Sequence, residues 1–217
     1  MAVRSPVAKE GWPFIIAFAA VAAVVTWVCP SVVGDVPPWL LTAWCVWFFR
    51  DPERPIPQGP GELAAPADGV VVALDRGATA PLSGLPATKL SIFMNVFNVH
   101  VNRMPLAARV TAAAYHPGRF LNAALDKASV ENERMELLLE TPDGHRITLV
   151  QVAGLVARRI VCRATEGSRW QRGERFGLIR FGSRVDLYLP LAADIPLTIG
   201  DRTVAGTTVV ARLEPVS

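Results

Sequence analysis

The chain reads as mostly β, a β-rich α+β protein in which a compact sandwich or barrel follows N-terminal apolar membrane helices. Three observations predict this. The 217 residues are 51% hydrophobic with a mean hydropathy of +0.32, oily for a soluble protein of this size, and the excess sits in the first fifty positions. Beyond a Pro-rich connector, short runs alternate apolar with polar residues, the period of half-buried strands. Gly, Pro and Asp clusters separate those runs.

The elements follow in order. Trp12 to Val28 is about 17 residues without a charge, the lower limit for a membrane-spanning helix. Pro30 and then Gly34-Asp-Val-Pro-Pro38 predict a break. A second apolar run, Trp39 to Phe49, is about 11 residues, short for a span unless it tilts or re-enters. Arg4 and Lys9 precede the first run, and Arg50 and Arg54 follow the second. That pattern favours a hairpin with both ends in the cytoplasm, with Trp12, Trp39, Trp44 and Trp47 suited to the interface. A signal peptide is disfavoured because no small-residue cleavage site follows the apolar run. A buried core helix is the other alternative. Residues 1–50 thus form an N-terminal membrane-associated segment and 51–217 a β-rich domain, long enough for one real core.

Pro52 to Pro60 is the connector. Strands are predicted at 69–74, 89–94, 108–115, 134–140 and 146–152, with Pro142-Asp-Gly-His145 as a hairpin turn between the last two. Residues 153–161 fit a strand or a short helix. Residues 178–190 read as one strand interrupted by Gly182, and 199–213 as a β-hairpin of a lipoyl-type barrel.

Composition excludes some functions. A net charge of +3 without a Lys/Arg run gives no basic stripe for nucleic acid. It suits the surface of an anionic membrane. Cys29, Cys45 and Cys162 form no C-x-x-C pair, and His100, His116 and His145 have no metal-ligand spacing. Reduced thiols and no metal are expected. His145, beside Asp143-Gly144, reads as solvated surface.

The chemistry centres on Phe181-Gly182-Ser183. A Gly inside a strand marks a bulge or a close backbone approach, and here a hydroxyl follows it. A Ser Oγ against the preceding carbonyl can attack it, and Gly offers no side chain in the way. The resulting backbone ester, on losing the Ser α-proton, cleaves to leave dehydroalanine, which hydrolyses to a pyruvoyl group. A plain bulge is the bland alternative. Asp68, in Ala-Asp-Gly, equally suits a tight turn. Alternation places Asn98, His100 and Asn102 on one face, a pattern that is usually solvated.

Arg172-Gly-Glu-Arg-Phe-Gly-Leu-Ile-Arg-Phe-Gly-Ser183 resembles the self-cleavage region of the phosphatidylserine decarboxylase family. Pro66-Ala-Asp-Gly69, Phe97-Asn-Val-His-Val-Asn-Arg-Met-Pro105, Tyr115-His-Pro-Gly-Arg-Phe120, Asp126-Lys-Ala-Ser129 with Glu131-Asn-Glu-Arg134, and Phe48-Phe-Arg-Asp-Pro52 resemble it too. Together they cover most of residues 45–190 in the family's order, with the spacing of its short prokaryotic class. The resemblance implies a lyase that decarboxylates phosphatidylserine to phosphatidylethanolamine at the membrane. Its cofactor would be a covalent pyruvoyl group made from Ser183 by cleavage after Gly182, forming a Schiff base with the substrate amine. The chain would end as a heterodimer of its own pieces, 1–182 (the β chain) and 183–217 (the α chain), with a homodimer possible. No PLP is expected, since Lys9, Lys89 and Lys127 sit in no obvious PLP site.

Many members carry His-x-x-His in the third motif, the first His tied to decarboxylation and the second acting with the motif Asp in self-cleavage. His100 matches the first and Asp68 the Asp, but Arg103 stands at the second position and cannot be a general base. His116 is the candidate replacement, and Arg103 a candidate for binding the lipid phosphate or carboxylate. Two rivals remain. One is a decarboxylase of a related serine phospholipid. The other is a non-catalytic membrane-anchored binding or carrier module, against which the Lys-free C-terminal hairpin counts.

Overall fold

A computed structural model describes residues 5–29, 31–118, 131–154, 159–180 and 183–214. The chain divides into two compact units, Met1–Glu53 and Arg54–Ser217.

In the first unit, helix α1 spans Trp12–Val28 as the uncharged run predicts, with Pro13 in its first turn, where no N–H is needed. With the 3-10 turn before it, Lys9–Val28 is long and apolar enough to cross a membrane. Helix α2 spans Val32–Phe48, and this corrects the expected break: Gly34, Pro37 and Pro38 lie inside it. Ser31 explains the early start. Its Oγ caps the helix by accepting from Gly34 N at 3.1 Å, and Asp35 sits in the first turn, where the helix dipole favours a carboxylate. The two prolines leave only carbonyls near the exposed N-terminal end without donors, which limits their cost.

Among the described residues the second unit has thirteen strands: β1 Glu62–Ala64, β2 Gly69–Thr79, β3 Pro86–Met94, β4 Val101–Arg103, β5 Ala108–His116, β6 Arg134–Glu140, β7 Arg146–Ala153, β8 Ile160–Cys162, β9 Arg169–Trp170, β10 Arg175–Ile179, β11 Ser183–Leu189, β12 Arg202–Thr203 and β13 Val209–Arg212. Eight form one sheet in the order β12-β2-β3-β11-β7-β6-β5-β9. The others form a three-stranded sheet, β4-β10-β8, and the pair β1-β13. The described strands close no barrel.

Register sorts the large sheet into two faces. Leu187 pairs with Leu90 and Leu149, which pairs with Leu137; all four are buried in the main core with Met94, Val185 and Phe176. Each such side chain contributes about 2 kcal/mol of burial. The opposite face carries Arg184, Asp186 and Tyr188. Arg184 and Asp186 are fully buried there, Nε to Oδ1 at 2.8 Å. Burial, and secondarily the Asp186 carboxylate, pushes the Tyr188 phenol well above its ordinary value.

Two expectations change at this level. The predicted strand 178–190 is two strands in two sheets, β10 and β11, because Ile179 ends its pairing with β8 while Ser183 begins pairing with β3 and β7. The 199–213 segment is no self-paired hairpin: β12 pairs with β2 and β13 with β1, because the edge groups of those earlier strands need partners. In the segment 153–161, expected as strand or short helix, Ala153 ends β7 and Ile160 begins β8, while residues 155–158 lie outside the described residues. The 142–145 turn holds as expected, with Gly144 at φ +85° and Gly144 N donating to Thr141 O at 3.0 Å.

Gly69 opens β2 against the carbonyl of Phe93, which an added Cβ would strike. Gly69→Ala is expected to cost about 2 kcal/mol or more, read as a lower urea midpoint at unchanged slope. Burial pushes the Cys162 thiol up to about 11, despite a backbone hydrogen bond from Ala164 that opposes the shift. A folded value above the ordinary 9.0 means stability present below pH 9 and lost as pH rises from 9 to 11. Iodoacetamide should therefore label Cys162 far more slowly at pH 8 in the folded protein than in urea.

Candidate active site

Ser183 is the first residue of β11 and fully buried. It pairs with Met94 on one side and Ala153 on the other, both core residues, so its side chain projects to the core face. Its Oγ has no hydrogen-bond partner among the described residues. A buried, open hydroxyl is rare and calls for an explanation, reactivity being one. Gly182 lies outside the described residues, so the expected nucleophile is placed and its target carbonyl is not.

Two buried amides lie on the same face of the sheet as this serine. Asn102 is fully buried on β4, its Nδ2 donating to Met94 Sδ at 3.7 Å while its Oδ1 accepts from Gln151 Nε2 at 2.8 Å. Gln151 sits on β7 opposite Val185, also fully buried. Gly177 makes room for it: a Cβ there would lie 2.9 Å from Gln151 Nε2. The polar face expected at 98, 100 and 102 is therefore not solvated at His100 and Asn102, because β4 is covered by the large sheet. His100 is fully buried, its Nδ1 3.0 Å from Asn98 O and its carbonyl accepting from Ile179 N at 3.4 Å. That contact joins it to the end of β10, four residues before Ser183.

The Asp68 carboxylate is held by Arg54 and the Ala205 amide. Oδ1 and Oδ2 accept from Arg54 Nη1 and Nη2, each at 2.9 Å, and Oδ1 also accepts from Ala205 N at 2.8 Å. This bidentate pair is nearly buried, both side chains 11% exposed. Among the described residues Asp68 bonds no imidazole. Arg103, 3% exposed, follows Asn102 on β4 and so turns to the opposite side. Its Nη1 donates to Gly173 O at 3.3 Å, and its Cδ occupies the space that a Cβ on Gly206 would need.

His116 falls apart from Ser183. It pairs with Arg134, which pairs with Val152, which pairs with Arg184: all four share the face opposite Ser183. There its Nε2 lies 3.2 Å from Glu136 Oε2. The structure thus buries the candidates Ser183 and His100 and ties the candidate Asp68 to Arg54, while Arg54, Asn102 and Gln151 were not candidates in the sequence reading. Arg54 was legible only as a charge flanking an apolar run. Nothing local marks Gln151.

Fold and site define a β-rich domain, preceded in sequence by apolar helices, with a buried open serine hydroxyl where the chain passes from one sheet to another. The chain belongs to the phosphatidylserine decarboxylase family, whose profile matches residues 41–211. It is 55% identical to a protein of Magnetococcus marinus over 96% of this chain and 95% of that one. It is 52% identical to one of Aromatoleum aromaticum, over 95% of each chain. With one of Burkholderia ambifaria the identity is 50% over 96% of each. All three are named phosphatidylserine decarboxylase proenzymes.

Removing Arg54 strands a nearly buried carboxylate. Arg54→Ala should cost about 3 kcal/mol, while Arg54→Met with Asp68→Leu recovers most of it. A urea double-mutant cycle reads the coupling.

Proposed function

We propose that this chain is a membrane-associated, pyruvoyl-dependent decarboxylase of phosphatidylserine that makes its own pyruvoyl group from Ser183. The observation that carries the reading is the fully buried Ser183, its Oγ open, at the crossover between β10 and β11. The named relatives, aligned over nearly the whole chain, support the substrate. Their designation as proenzymes supports a processed chain.

In this reading Ser183 Oγ attacks the carbonyl of residue 182. The C–N bond breaks as the C–O bond forms, giving an ester. Loss of the Ser183 α-proton expels the residue 182 carboxylate and leaves dehydroalanine. Water then replaces its nitrogen, which leaves as ammonia. The pyruvoyl carbonyl so formed supplies an electron sink for the carbanion left by CO₂. The site residues fit such a group: the core face at Ser183 is walled by Met94, Ala153 and two amides, and shut off from water.

His100 is the general base we favour over His116, because the sheet separates His116 from Ser183. Asp68 can still orient an imidazole, since its Oδ2 receives only Arg54 Nη2 and keeps a lone pair. Arg103 is assigned to an anionic group of the lipid, the role that a planar, always-charged fork suits. The apolar N-terminal residues 12–49 hold the site at the cytoplasmic membrane face, where a two-chain lipid presents its head group.

A gel and intact mass test this. Wild type should yield chains 1–182 and 183–217, the latter of 35 residues and blocked to Edman degradation. Ser183→Ala should give one uncleaved, inactive chain. Full decarboxylation by Ser183→Ala would overturn the reading. Asp68→Asn should slow cleavage at least tenfold, the loss expected for an orienting carboxylate.

A further inference from the structure

We propose that the buried pair Asn102–Gln151 is the amine-recognition element of this site, with Gln151 Oε1 accepting from the head-group nitrogen of the phospholipid. The inference rests on the decarboxylase reading for its substrate, but its geometry does not. Asn102 bonds Met94 on β3 and Gln151 on β7, the two strands that flank β11. Its amide therefore lies over β11, on the face from which Ser183 projects. Gln151 and Ser183 are diagonal neighbours there, since Gln151 pairs with Val185 and Ser183 with Ala153.

Gln151 Oε1 is buried and accepts no hydrogen bond among the described residues. Its orientation follows from its partner. Asn102 directs its NH2 toward Met94 and its oxygen toward Gln151, so Gln151 presents nitrogen to Asn102 and turns its oxygen away. Two buried amides thus end in one open acceptor beside one open hydroxyl. An acceptor left open at such depth is costly, which marks it as a place a donor enters.

The choice of an amide has a chemical reason. An amine must shed its proton to attack a carbonyl. A carboxylate beside it would stabilise the ammonium form and hold that proton. An amide oxygen accepts N–H from the neutral amine and directs its lone pair without that penalty. A site that must hydrogen-bond a substrate N–H also discriminates strongly against ligands that lack it.

The test uses the processed full chain and two variants, Gln151→Met, which keeps length without an oxygen, and Gln151→Glu. Both should self-cleave like wild type on a gel. Calorimetric titration with short-chain phosphatidylethanolamine and phosphatidylglycerol reads amine recognition without turnover. Wild type should prefer the amine lipid at least tenfold, and Gln151→Met should bind both alike. For phosphatidylserine turnover, Gln151→Met should raise KM about tenfold with a smaller change in kcat. Gln151→Glu should move the acid limb of kcat upward by about one pH unit, as a carboxylate beside a bound amine does. An amine preference retained in Gln151→Met, or an unmoved pH profile in Gln151→Glu, overturns the proposal. So does failure of both variants to self-cleave, which assigns the pair to processing. If wild type turns over no phosphatidylserine yet shows an amine preference that Gln151→Met abolishes, the decarboxylase reading fails and the amine site stands.

Discussion

The pairing of β11 on both edges is the constraint on which the rest depends. All seven of its residues pair with β3, and six pair with β7. A strand held on both sides cannot slip by one residue without turning its core face outward. Ser183, as its first residue, inherits that fixity: its position and the direction of its side chain are set by the ladder. β10, which ends at Ile179, belongs to another sheet.

The two faces of that strand carry different loads. Val185, Leu187 and Leu189 sit in the hydrophobic core. Behind them Arg184 pairs with Asp186, and Lys89 approaches Asp186 Oδ2 at 3.8 Å. Removing one partner of such a buried pair is far more destructive than never having had it. The residue beside the candidate nucleophile is thus tied to the outer face while the nucleophile itself is left open on the inner one. Arg54 and Asp68 repeat the pattern of a shielded pair, here joining the connector to the turn at Ala205.

Much of this was legible in the chain. Trp12–Val28 is a helix because nothing in it resists one, and Pro142–His145 turns because Gly144 can take a positive φ. What failed shares a cause: local pattern does not say which strand lies alongside. Ile179 and Val185 are both buried and apolar, yet they belong to different sheets. His116 looked suitable by type, and only the register across four strands puts it on the face opposite Ser183. Asn102 and Gln151 are 49 residues apart, and their contact exists only once β4 covers the large sheet. Prolines 37 and 38 misled because the cap at Ser31 lies six residues upstream of the first.

Strands β11, β12 and β13 all follow Ser183, yet they pair with β3, β7, β2 and β1, which all precede it. A break before Ser183 would therefore leave two chains interlaced through four separate ladders, with β11 held on both of its edges. Before the break, folding is a search by one molecule. After it, the same architecture is a complex, and its reassembly from denatured pieces becomes second order, governed by how often the fragments meet. The native state would then be kept by its barrier to unfolding more than by any ease of return. Such a protein matures once, and what holds it afterwards is the memory of having been a single chain.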